Sequence, residues 1–147
     1  MKLTHADAIA DATLQHARRI DAAPLTVVVL DPGGHVVALK REDGSGILRP
    51  EIAIAKAYGA VGMGMSSREL AGRAEKQPVF FGTLAAASGG RLAPAPGGVL
   101  VRDAAGVLLG AVGVSGDVSD VDEECAVRGI DAVGLVAEPG IETLPTT

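Results

Sequence analysis

The chain has 147 residues, 48% hydrophobic but only 2% aromatic, with 20 glycines and a formal net charge of −5. That length suits one domain whose single core is built from Ala, Val, Leu and Ile, with glycines letting elements approach closely. Lys and Arg never run longer than the pair Arg18-Arg19, and no uncharged apolar run reaches the ~18 residues of a spanning helix, so nucleic acid and membrane are both set aside as partners.

The N-terminus lacks the apolar core of a signal peptide, and the single cysteine, Cys125, excludes an internal disulfide. Both features lead us to expect a cytoplasmic protein. The domain is expected over residues 1–138, followed by a frayed tail over 139–147.

In chain order, residues 4–22 are expected to form a first helix. Thr4 and Asp7 have capping spacing, Ile9, Thr13, His16 and Ile20 recur on one inward stripe, and Pro24 ends it. Leu25–Asp31 and His35–Arg41 are β-branched and apolar runs joined by Pro32-Gly-Gly34, a hairpin. The same grammar returns in Val99–Asp103, Ala104-Ala-Gly106 and Val107–Val114. Asp31 and Gly34, like Asp103 and Gly106, stand three apart, so two hairpins of like build are expected to pair into one antiparallel sheet.

Between the hairpins, Pro50 suits the first position of a helix over Glu51–Met63, Ser66 and Glu69 form a capping box, and Val79–Ala87 suits a third helix. Residues 89–98 are a loop, and Ser119 or Asp120 opens a last helix running to about Val136. Hairpins in place of β-α-β alternation point to an α+β fold, an antiparallel sheet with helices packed on it.

Five carboxylates fall within eight residues: Asp117, Asp120, Asp122, Glu123 and Glu124. Acids complement the dipole at a helix start, which accounts for most of them. Asp120 stacked with Glu123 or Glu124 would alternatively form an acid/base or cation-facing pair. Ser115 is no nucleophile elbow, because Asp117 stands where the second glycine of that motif belongs. No histidine or cysteine cluster has metal-ligand spacing, so no metal is expected.

Lys56 is the only charged residue between Ile52 and Ser67, on a small apolar helix face. A lysine there pairs with a carboxylate, extends outward, or meets an anionic ligand. His5 and His35 are expected at the surface, whereas His16 lies on the inward stripe as a packed histidine or a ligand. Cys125 is expected to be inert, and Gly97-Gly98 either lets a ligand touch backbone amides or is a plain linker.

Val28–Asp43, Ile52–Tyr58, Pro96-Gly-Gly-Val99 and Gly110–Gly116 followed by Asp122–Ala126 together resemble the GlcG/HbpS family, which also supplies the C-terminal domain of PduO-type cobalamin adenosyltransferases. The resemblance runs in order over about residues 4–137. It implies a profilin-like layered fold, small-molecule binding, homo-oligomers and, in some members, haem. It also implies that Gly97, Gly98, Gly113, Ser115 and Gly116 approach the pocket wall holding Lys56, with His16 as the candidate axial ligand of a haem.

Three functions follow as alternatives. The first is a binding module that takes haem or another anionic small molecule beside Lys56. The second is a cofactor-independent isomerase- or lyase-type enzyme acting on a small carboxylate or carbonyl compound, in which Lys56 polarises the anion and Glu124 or Asp122 moves the proton. The third is an assembly protein whose small-residue helices pack subunits together.

Overall fold

Two Asp-x-x-Gly turns organise the fold. β1 (Thr26–Leu30) and β2 (Val36–Arg41) flank the first, and β3 (Gly98–Arg102) and β4 (Leu108–Ser115) flank the second. The Asp31 carboxylate accepts from the backbone N–H groups of Gly33 and His35, both at 2.9 Å, and Asp103 does the same for Ala105 and Val107 at 2.9 Å. Gly34 and Gly106 have φ of +83° and +84°, a left-handed conformation that glycine takes without steric cost. The computed structural model describes residues 1–140.

The two hairpins join through β1 and β4, antiparallel, with Thr26 opposite Ser115 and Leu30 opposite Ala111. The sheet order is β2-β1-β4-β3-β5, all neighbours antiparallel. β5 (Val136–Glu138) was not expected, since the helical pattern ran to about Val136. The helix ends earlier because Gly134, at φ +78°, turns the chain, and residues 136–138 then pair with β3. Of the tail expected from Pro139, residues 141–147 lie outside the described residues.

Every residue of β1 is buried, so the sheet is covered on both sides. Val27, Val29, Val112 and Val114 face one layer with Ile9, Ala10, Val127 and Ile130, carried by α1 (Leu3–Arg19) and α5 (Ser119–Ala132). Val28, Leu30, Leu100 and Ala111 face the other, with Ala53, Ala57 and Ala60 of α2 (Arg49–Met63). Burying each of these valines and leucines stabilises the fold by roughly 1.5–3 kcal/mol. The result is an α-β-α layering, with α3 (Ser67–Lys76) and α4 (Pro78–Ala87) following α2. No described helix is long and apolar enough to cross a membrane.

Some caps differ from expectation. Ser66 does accept from the Glu69 N–H at 3.3 Å, and Pro50 does stand in the first turn of α2, though second, after Arg49. Thr4, however, lies inside α1, whose N-cap is Lys2, and α5 is capped at Val118 rather than Ser119 or Asp120. On α1, Ile9 and Thr13 are buried as the stripe requires, but Ile20 lies beyond the helix and is 40% exposed.

Candidate functional site

Lys56 points from α2 into the sheet, where it is 3% exposed. Its Nζ donates to the Val114 carbonyl at 3.0 Å and to Oδ2 of Asp122 at 3.1 Å. Asp122 reaches this point from the first turn of α5, and its other oxygen accepts the Asp117 N–H at 2.9 Å. Burial pushes the Asp122 carboxyl up and the Lys56 ammonium down, and the attraction between them opposes both shifts. Of the outcomes open to a lysine on an apolar face, this chain uses the carboxylate partner.

Of the glycines singled out with Lys56, Gly97 and Gly98 lie against it, whereas Gly113 and Gly116 lie against other backbone. A Cβ on Gly97 would stand 2.8 Å from Lys56 Nζ, and one on Gly98 would collide with the Lys56 carbonyl. Gly113 faces the Ala53 carbonyl and Gly116 the Pro24 carbonyl with equally little room. Ser115 is buried and its Oγ accepts from Arg49 at 3.1 Å, while the Gly98 N–H donates to Ser67 Oγ at 2.6 Å. The space the glycines leave is filled by the protein's own backbone, which lets α2 lie close on the sheet. An anionic ligand at Lys56 would therefore compete with Asp122 for an ammonium that is 3% exposed.

Three of the remaining acids also have hydrogen-bond partners. Asp117 accepts from the Ala23 and Val118 N–H groups at 2.8 and 2.7 Å, which hold its carboxyl below the ordinary value. Arg68 binds Asp120 at 2.5 Å and both oxygens of the fully buried Glu123 at 2.9 and 3.0 Å. Asp120 and Glu123 thus converge on a structural guanidinium. Burial and the neighbouring Glu124 push the Cys125 thiol up to about 12, in keeping with an inert cysteine. Among the described residues, no group of three or more His, Cys, Asp or Glu could hold a metal ion.

Glu124 turns away from Lys56, toward α1. Its Oε1 stands 3.7 Å from His16 Nε2, beyond hydrogen-bond reach. His16 Nε2 is buried with no hydrogen-bond partner, and so are Thr13 Oγ1 and Arg128 Nε. These are the unsatisfied buried side-chain atoms among the described residues, and all three lie on the α1–α5 pair. Buried polar atoms left unpaired are costly. Thr13 packs against Gly129, whereas His16 and Arg128 border open space.

A cavity of about 260 Å³ opens there, lined by Gln15, His16 and Arg19 of α1 and by Arg128 and Asp131 of α5. A wider hollow of about 570 Å³ adjoins it along α1 and shares Gln15 and Arg19. Lys56 lines neither. His16 is visible in the sequence as a polar residue on a helical stripe. Arg128 was not singled out, and its only local signal is the four-residue spacing from Glu124 on α5.

The fold has solved relatives. A crystal structure of HbpS superposes with a TM-score of 0.79 at 30% identity, covering 91% of this chain and 90% of HbpS. Klebsiella pneumoniae protein ORFY gives 0.79 at 25% identity, with 89% and 88% covered. A PduOC–heme complex gives 0.82 at 23% identity, with 92% and 96% covered, a likeness of fold. No curated protein matches the chain. Residues 1–131 match the family model described as haem degrading protein HbpS-like, and with nearly the whole chain matched the protein belongs to that HbpS-like family.

Proposed function

We propose that the protein binds haem, or a closely related tetrapyrrole, on the α1–α5 face, with His16 as the residue that meets the iron. The observation that carries this reading is the buried Nε2 of His16, without a partner beside a cavity. A cavity of about 260 Å³ lies just under the usual size of a small-molecule pocket, ~300–1,000 Å³, and the adjoining hollow extends it along α1. The family description and the heme carried by PduOC support the same ligand class. Haem would supply an iron centre, and the imidazole of His16 is the group that would hold it. The protein's part is to present that imidazole from a packed helix pair, with Glu124, 37% exposed, as the group that moves aside.

In this reading the Lys56–Asp122 pair, with Gly97, Gly98, Gly113, Ser115 and Gly116, sets the distance between α2, the sheet and the start of α5. The protein works as a homo-oligomer in the cytoplasm. Self-association is supported by α4, which carries no charged residue and buries only Phe81 while Val79 is 82% exposed. A reducing compartment suits the buried free thiol of Cys125.

Haemin titration tests the reading. The wild-type protein is expected to shift the Soret band, and His16→Ala to lose or displace that shift while keeping its circular dichroism spectrum. An unshifted Soret band with wild-type protein at micromolar haemin overturns it.

A further inference from the structure

We infer that Arg19 and Arg128 form a carboxylate-recognition pair, so that the α1–α5 site selects tetrapyrroles with free acid side chains over esterified or uncharged rings. This rests on the proposed function and names the ligand chemistry of the same site. The chain carries a formal net charge of −5, so carboxylates outnumber cations. Accordingly Arg18, Lys40, Lys56, Arg68, Arg73 and Arg102 each have a carboxylate partner. Among the described residues Lys2, Arg41, Arg49, Lys76 and Arg91 have none either, but of the cations without a carboxylate partner Arg19 and Arg128 are the two that line the cavity beside His16.

Arg128 is the more telling of the two. It is half-buried, and its Nε is enclosed with no acceptor although Asp131 lines the same cavity and Glu124 stands one helical turn before it. A planar guanidinium offers two parallel N–H groups to a carboxylate, and a partly desolvated one has most to gain from it. Arg19 is exposed, so its contribution is screened and smaller. His16 and Arg19 are three residues apart on α1, on one helix face. A ligand held at the imidazole therefore has an acid-binding group on each helix.

The test uses the full chain and three probes: haemin, metal-free protoporphyrin IX and its dimethyl ester. The wild type is expected to bind the free acid about ten- to a hundredfold tighter than the ester. Arg128→Gln should remove most of that preference and Arg19→Gln a smaller part, with the haemin Soret position unchanged because His16 is intact. Arg128→Lys, which keeps charge but not the fork, should fall between, and it serves as the readout if the glutamine variant unfolds. Equal wild-type binding of acid and ester, with haemin still bound, overturns this inference alone. Absence of haemin binding overturns it together with the reading beneath it.

Discussion

The ammonium of Lys56 lies 3.1 Å from Oδ2 of Asp122, 66 residues away in sequence, with both side chains shut off from water. Such a pair contributes little net stability as a pair, yet removing one member leaves a buried charge with no counter-charge. Lys56→Met is therefore expected to destabilise the fold by about 3–5 kcal/mol in urea denaturation. Replacing both residues, Lys56→Met with Asp122→Leu, should recover most of that loss. A single variant as stable as wild type would show that the lysine has no structural task.

The close seat of α2 on the sheet gives a second expectation. A methyl group on Gly113 would strike the Ala53 carbonyl, a backbone atom that cannot rotate away. Gly113→Ala should cost about 1–3 kcal/mol or more. Gly72, inside α3, has nothing within 4 Å of the position its Cβ would take. There the same substitution should stabilise by about 0.5–1 kcal/mol, since alanine favours helix. Thermal melts of the two variants should move in opposite directions, and matching shifts would contradict the packing described.

Asp117 sets a pH dependence. The Ala23 and Val118 N–H groups stabilise its charged form and hold its pKa below the ordinary 3.8. A carboxyl with a depressed folded pKa favours the folded state above its unfolded pKa, and that contribution is lost as pH falls through the folded value. Asp117→Asn should thus lower stability at neutral pH and flatten the fall of stability below pH 3.8, followed by denaturation at successive pH values. An acid limb identical to wild type would mean the carboxylate does not hold the turn before α5. Asp31, depressed mainly by the His35 N–H, acts with the same sign in the first hairpin.

What could be seen in the sequence depended on how far apart the partners lie. The twin hairpins were legible because each turn aspartate bonds amides two and four residues on, so spacing alone carried the geometry. Lys56 was conspicuous among Ile, Ala and Gly, but its partner belonged to an acidic run with five candidates, and only the sheet brings Asp122 rather than Glu124 to it. The three residues of β5 carry too little pattern to be told from the end of a helix. The cavity was the least visible. His16 and Arg128 lie on helices at opposite ends of the chain, and what joins them is the packing of α1 on α5, which no local period encodes.

The exposed face of α4 bears on assembly. Val79 and Phe80 are 82% and 51% exposed on a helix without a single charge, the surface that a second copy would cover in the proposed homo-oligomer. Val79→Asp puts a charge there without touching the core. The expected outcome is a smaller species by light scattering, with the melting temperature of the isolated fold little changed. An oligomer of unaltered mass would place the subunit contact elsewhere.

Glu124 offers the last expectation, and it concerns access to His16. Its carboxylate stands 3.7 Å from the unpartnered Nε2, too far for a hydrogen bond and close enough to cover it. Because the glutamate is 37% exposed, it can swing outward, and the competent arrangement is one fraction of its rotamers. A ligand's apparent affinity is reduced by that fraction, so truncating the cover raises it. Glu124→Ala should tighten haemin binding a few-fold, mainly through faster association in stopped-flow absorbance, with stability almost unchanged as for other half-exposed pairs. Slower or weaker binding in that variant would instead make Glu124 a group that holds the imidazole ready, reversing its role at the site.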